Sequence, residues 1–95
     1  MAIKVLIQRR IKRGKEKEFN QLVRELRTKA LHVGGFISGE TLQSLEDPAV
    51  HLTISTWKSM TDFTNWITSP DRKETQEKMD LILEEPTKMT PFQYE

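Results

Sequence analysis

Trp66 is the side chain in this sequence best suited to hold a flat ligand, because its indole offers a broad apolar face and one N–H donor. Phe63 and Ile67 fall on the same helical stripe, so the plainer reading of all three is core packing. Asp62 precedes Trp66 by one helical turn, and a carboxylate there could accept a proton from a phenol. A carboxylate in a first helical turn also satisfies the helix dipole, with no chemistry required. Of the two histidines, His51 and His32, either could act as a general base near neutral pH. His32 falls at the end of a helical pattern, where a cation is favoured for structural reasons. His51 opens a strand, on a face that reads as an interface or its rim. Their separation, with no cysteine in the chain, predicts no metal site. Gln76 and Met79 lie on a later helical stripe, and with Trp66, Phe63 and Gln8 they make up the expected pocket. Thr53, Ser55 and Tyr94 could add polar contacts, depending on strand register.

One charged run stands out. Arg9-Arg10-Ile11-Lys12-Arg13-Gly14-Lys15 holds five cations in seven residues. A nucleic-acid module would interleave such a run with aromatics, and none is present. The run therefore reads as a solvated strand end and loop. Lysine and arginine number 15 against 14 acids, and a net charge of +1 gives no general attraction to nucleic acid or anionic lipid. No glycine-rich phosphate loop, nucleophile elbow or HExxH pattern occurs.

These residues must be positioned by a small fold. The 95 residues predict one domain, 1–95, whose own core is thin enough that self-association is a natural way to add burial. The absence of cysteine suits a reducing cytoplasm. Lys4 and the Gln8-Arg9-Arg10 stretch interrupt the N-terminal apolar residues too early for a signal peptide, and no segment is long enough for a membrane helix. A soluble, cytoplasmic protein is expected.

Residues 2–11 alternate as a strand, with Ile3, Val5 and Ile7 toward the core and Ala2, Lys4, Leu6 and Gln8 away from it. Phe19, Leu22, Val23, Leu26, Ala30 and Leu31 form one helical stripe, which Gly34-Gly35 terminates. Two strands, Phe36 to Leu45 and Val50 to Trp57, flank the turn residues Glu46-Asp47-Pro48-Ala49 and predict an antiparallel hairpin. In the second of these, Val50, Leu52, Ile54 and Thr56 share one face. His51, Thr53, Ser55 and Trp57 share the other, which reads as an interface. Ser59 caps a short helix carrying Met60, Phe63, Trp66 and Ile67, and Ser69-Pro70 starts another with Gln76, Met79, Ile82 and Leu83 along one stripe. Pro86 closes it, and Met89 to Tyr94 predicts a last strand.

The resulting β-α-β-β-α-α-β order predicts an α+β, ferredoxin-like domain with a four-stranded antiparallel sheet and helices on one face. The bare sheet face then calls for cover. Leu6, Ile37, Thr53 and Trp57 are the residues expected on it, and a homodimer would supply that cover.

Trp57-Lys58-Ser59, followed by Phe63, Trp66 and Ser69-Pro70, resembles the antibiotic biosynthesis monooxygenase family. Gly14, Phe19 and Gly34-Gly35-Phe36 extend the resemblance along nearly the whole chain. It implies a dimeric α+β barrel with a ligand pocket between sheet and helices. The chemistry it implies ranges from oxygenation of aromatic polyketides without metal or flavin to haem breakdown. In the haem-degrading branch the axial histidine falls on Gln76 and the pocket asparagine on Ile7 or Gln8. Glutamine is a poor haem ligand, so that chemistry is not expected. The expected function is cofactor-independent oxygenation of a small aromatic or quinol-like molecule. The alternative is a dimeric module that binds a small ligand, or serves structurally, without turnover.

Overall fold

A computed structural model describes residues 1–95. Its elements follow the order β1 (Ile3–Arg10), α1 (Glu16–Val33), β2 (Phe36–Gln43), β3 (Val50–Trp57), α2 (Met60–Ile67), α3 (Pro70–Leu81) and β4 (Lys88–Gln93). All strand pairs are antiparallel, in the order β2-β3-β1-β4. This is the ferredoxin-like arrangement, with three helices on one side of a four-stranded sheet.

Burial alternates along β1 because successive side chains point to opposite sheet faces. Ile3, Val5 and Ile7 face the helices and are buried. So is Arg9, which continues the same alternation. From α1, Phe19, Leu22, Leu26 and Ala30 meet them along one stripe. Met79 of α3, with Ile82 and Leu83 just past its end, completes that side of the core.

The register of β3 against β1 sets Trp57 opposite Ile3, Ser55 opposite Val5, Thr53 opposite Ile7 and His51 opposite Arg9. The helix-facing side of β3 is therefore His51, Thr53, Ser55 and Trp57, the face that reads from sequence as an interface. Thr53 and Trp57 belong under the helices, and Trp57 is only 1 % exposed. The bare face instead carries Leu6, Leu52 and Ile54, with the exposed Leu42 and Phe92. Ile37 falls in a bulge between Phe36 and Ser38 and is exposed. The hairpin is shorter than predicted: β2 stops at Gln43, and Leu45 projects from the turn. Pro91 lies in β4 opposite Val5.

Gly34 and Gly35 take positive φ, 93° and 80°, and turn the chain from α1 into β2. Only glycine fits at 35, since a Cβ there would land on the Asp62 side chain. Asp62 thus packs on the bend that delivers Phe36 to the sheet. Ser59 caps α2, its Oγ accepting from the Asp62 N–H at 3.1 Å and donating to the Asp62 carboxylate at 3.0 Å. Arg10 closes the far end of the sheet, bonding Asp47 at 2.8 Å with Glu85 at 3.6 Å. That hydrogen bond lowers the Asp47 pKa and raises that of Arg10. No helix is long and apolar enough to cross a membrane.

Candidate active site

A cavity of about 60 Å³ lies between the sheet and the helices. The sheet forms its floor through alternation: Ile7 and Arg9 from β1, Thr53, Ser55 and Trp57 from β3, and Met89 from β4. Helical stripes form its roof, with Leu26 and Ala30 from α1, Phe63, Trp66 and Ile67 from α2, and Arg72 from α3. Gly39 of β2 contributes no side chain, and a Cβ there would press on the Phe36 ring at 3.3 Å.

The aromatic wall is organised around Trp57. Its ring stacks on Trp66 at a centroid distance of 6.2 Å and meets Phe63 and Phe36 edge-on at 5.7 and 5.2 Å. Such offset and edge contacts suit the ring quadrupoles. Trp57 Nε1 donates to Ser55 Oγ at 3.1 Å, which fixes the indole plane.

The charged groups of the cavity are all cationic. Arg9 is 5 % exposed, its Nη1 donates to Thr53 Oγ1 at 3.3 Å, and its buried Nε has no acceptor. Thr53 Oγ1 shares a further 2.9 Å bond with Thr41 Oγ1, so the guanidinium is held by a hydroxyl pair reaching across to β2. Burial lowers the Arg9 pKa to about 10; the positive charge of Arg72 adds to the effect and Asp80 opposes it. Burial also lowers the Arg72 pKa, again opposed by Asp80. Arg72 reaches only neutral acceptors: the Ile67 carbonyl at 3.4 Å, Gln76 Oε1 at 3.4 Å and Met89 Sδ at 3.9 Å.

Of the candidate site residues read from the sequence, Trp66, Phe63, Thr53 and Ser55 meet at this cavity, together with Ile67 of the same stripe. The others do not. Asp62 caps α2 and packs on Gly35, outside the cavity lining. His51 is buried rather than at an interface, tilted against Phe19 at 4.6 Å with Nδ1 unpartnered, and borders a separate polar cleft. His32 is exposed at the end of α1, bonded to the Thr28 carbonyl at 2.9 Å. Gln8 is exposed on the bare sheet face, because it is in phase with Leu6. Gln76 lies on the outer side of Arg72 and donates to Asp80 at 2.8 Å and Thr87 at 3.3 Å. Met79 is fully buried in the core rather than on the cavity wall. Tyr94 follows the end of β4 and is exposed. No three His, Cys, Asp or Glu side chains converge to hold a metal.

Two functional candidates escape the sequence reading, Arg9 and Trp57. For both the signal was strand period. Arg9 falls in phase with Ile3, Val5 and Ile7, and its charge obscures that phase. Trp57 is placed inward only by the register between β3 and β1.

Known proteins share this architecture. The chain superimposes on a conserved protein from Methanosarcina mazei Go1 with a TM-score of 0.91 and 25 % identity, covering 100 % of this chain and 94 % of that one. A putative antibiotic biosynthesis monooxygenase from Nitrosomonas europaea gives 0.88 at 16 % identity, covering 98 % and 89 %. SnoaB, a cofactor-independent oxygenase from Streptomyces nogalater, gives 0.89 at 12 % identity, covering 99 % and 93 %. In sequence, a 42.8 kDa protein in the whiE locus of Streptomyces coelicolor is 29 % identical over 77 residues, which is 81 % of this chain. The matched segment spans only 19 % of that longer protein. The model for antibiotic biosynthesis monooxygenase matches residues 2–78. The chain belongs to the antibiotic biosynthesis monooxygenase family.

Proposed function

We propose that this protein oxygenates a small, electron-rich aromatic or quinol-like substrate in the cavity beside Trp66, with no metal or flavin cofactor. One observation carries the reading: an aromatic wall, the buried Arg9 and the half-buried Arg72, neither in an ion pair, line the same cavity. A quinol that gives a proton to solvent at the cavity mouth becomes an anion, and nearby positive charge lowers the pKa at which it does so. The anion is the electron donor. It reduces O2, the carbon–oxygen bond forms on recombination, and loss of water leaves a hydroxyquinone. One oxygen atom enters the product and the other leaves as water, so quinol plus O2 gives hydroxyquinone plus H2O. The protein's part is to orient the ring against Trp57 and Trp66 and to favour the anionic form. The cofactor-independent activity named for SnoaB accords with this reading.

The second reading, a binding module without turnover, is favoured by one feature. No histidine or carboxylate lines the cavity to move a proton. Oxygen consumption across a panel of hydroquinones and anthrone-like compounds separates the two. The oxygenase reading expects uptake above the spontaneous rate, a hydroxylated product and no hydrogen peroxide. Trp66→Phe should lower that rate about tenfold, through weaker stacking and a lost N–H donor. Uptake identical with and without protein for every compound would leave only the binding module.

The working unit in this proposal is a homodimer that covers the bare sheet face around Leu6, Leu52 and Ile54. Exposed Leu42 and Phe92 extend that apolar surface. Sedimentation should give about twice the 11.1 kDa of one chain, and a species at the single-chain mass would remove the dimer from the proposal. A cytoplasmic setting suits a chain without cysteine.

A further inference from the structure

The chain as a whole is nearly neutral, yet the cavity wall holds Arg9, Arg27 and Arg72 and no aspartate or glutamate. Buried arginines are ordinarily paired with a carboxylate. Neither Arg9 nor Arg72 makes an ion pair, whereas Arg10, next to Arg9 in sequence, makes two on the opposite side of the sheet. Asp80 is the acid whose field reaches both, and its carboxylate accepts from Gln76. Two like charges therefore face one cavity without a counter-ion, which costs the folded state stability unless something else uses them.

The free positions are specific. Arg9 spends Nη1 on Thr53, which leaves the side-on edge formed by Nε and Nη2 without a partner. That planar edge matches the two oxygens of a carboxylate. Size narrows the guest further. A cavity on the order of 150 Å³ encloses a benzene ring, whereas this one measures about 60 Å³ and opens outward. It encloses a carboxylate and part of one ring, and leaves the rest of the guest at the mouth.

We propose that the cavity recognises a single-ring aromatic acid, its carboxylate on the Nε/Nη2 edge of Arg9 with Arg72 as second cation, and its ring against Trp57 and Trp66. This rests on the reading of the cavity as the substrate pocket and names the class of substrate. Calorimetric titration of the full chain with benzoate, benzamide and acetate tests it. Benzoate should bind at least tenfold more tightly than benzamide, which keeps the ring and loses the charge, and more tightly than acetate, which keeps the charge and loses the ring. Arg9→Met and Arg72→Met should each weaken benzoate binding tenfold or more while benzamide is unchanged. Arg9→Lys, which keeps the charge without the planar edge, should fall between.

Equal affinity for benzoate and benzamide, full benzoate affinity in Arg9→Met, competition by acetate as strong as by benzoate, or no benzoate binding would each overturn the proposal. Thermal melts of every variant confirm that folding is intact, and Arg72→Met, at a half-exposed position, keeps the test open if an Arg9 variant misfolds. Benzoate has no oxidisable hydroxyl, so its binding stands or falls apart from oxygenation. Conversely, equal oxygen uptake with 2,5-dihydroxybenzoate and hydroquinone would sink the acid as substrate and leave the oxygenase reading intact.

Discussion

Arg9→Met should make this protein more stable, raising its melting temperature on the order of 10 °C. The expectation follows from the Arg9 pKa, lowered from the ordinary guanidinium range to about 10 by burial first and by Arg72 second. A drop of that size corresponds to roughly 3 kcal/mol by which folding disfavours the charged guanidinium. The sign is fixed by protonation. Below about pH 10 both the folded and the unfolded chain carry the charge, so the full penalty acts on the folded state. Above about pH 10 the unfolded chain holds the proton more tightly, so this residue's penalty fades as pH rises toward the ordinary guanidinium range. Methionine has similar length, no charge to desolvate, and a flexible shape that suits the apolar neighbours Ile7 and Met89. It forfeits the Thr53 hydrogen bond, worth about 1 kcal/mol, leaving a net gain of about 2 kcal/mol. Circular dichroism melts at neutral pH measure this directly. A lower melting temperature would mean that Arg9 holds the fold together, and its lack of an anion would then need a structural explanation. A stabilised variant that no longer binds benzoate would instead identify a residue kept for binding at the expense of folding.

Trp57→Ala should have the opposite effect and the largest in the molecule. The side chain is 1 % exposed and touches Phe36, Phe63 and Trp66, so truncation removes the shared centre of the aromatic wall. Large-to-small changes of this kind cost about 3–5 kcal/mol. A domain of this length has roughly 5–14 kcal/mol in total. Ser55 Oγ also loses its donor. With an m-value of about 1 kcal/mol/M, the urea midpoint should fall by about 3 M or more, and a chain near the lower bound would not fold. Trp57→Phe keeps a ring in place and should lose only about 1–2 kcal/mol. A Trp57→Ala loss under about 1 kcal/mol, the range of a typical substitution, would show that the sheet and α1 hold together without the aromatic cluster.

The fold was legible in the sequence where pattern and residue type agree. Ile3, Val5 and Ile7 alternate and are apolar, and the stripe through Phe19, Leu22, Leu26 and Ala30 is continuous, so β1 and α1 follow directly. In β3 pattern and type diverge. A period of two assigns residues to two faces without saying which is inward, and Val50, Leu52 and Ile54 look more like a core than His51, Thr53 and Ser55 do. Pairing with β1 reverses that choice, and a single-residue change of phase moves every side chain together. The same conflict conceals Arg9, whose position says inward and whose charge says outward. On α3 the inward residues are Thr75 and Met79, four apart, which turns Gln76 about 100° away from the core. Trp66 and Phe63 were readable because α2 is short and both features coincide there. Which side chains floor the cavity could not be read, since that depends on three strand registers set by residues far apart in the chain.

The bulge at Phe36–Ser38 and the proline in β4 have a shared consequence for how copies of this chain meet. The outer strands, β2 and β4, each leave a row of backbone groups that another strand could extend into a continuous ribbon. Pro91 has no N–H to offer, and proline in an outer strand takes a position whose donor would have pointed away from the sheet. On the opposite side the bulge breaks the regular spacing that an incoming strand must match. Both lateral routes to open-ended polymerisation are thereby blunted, so growth of a ribbon from either edge of the sheet is disfavoured.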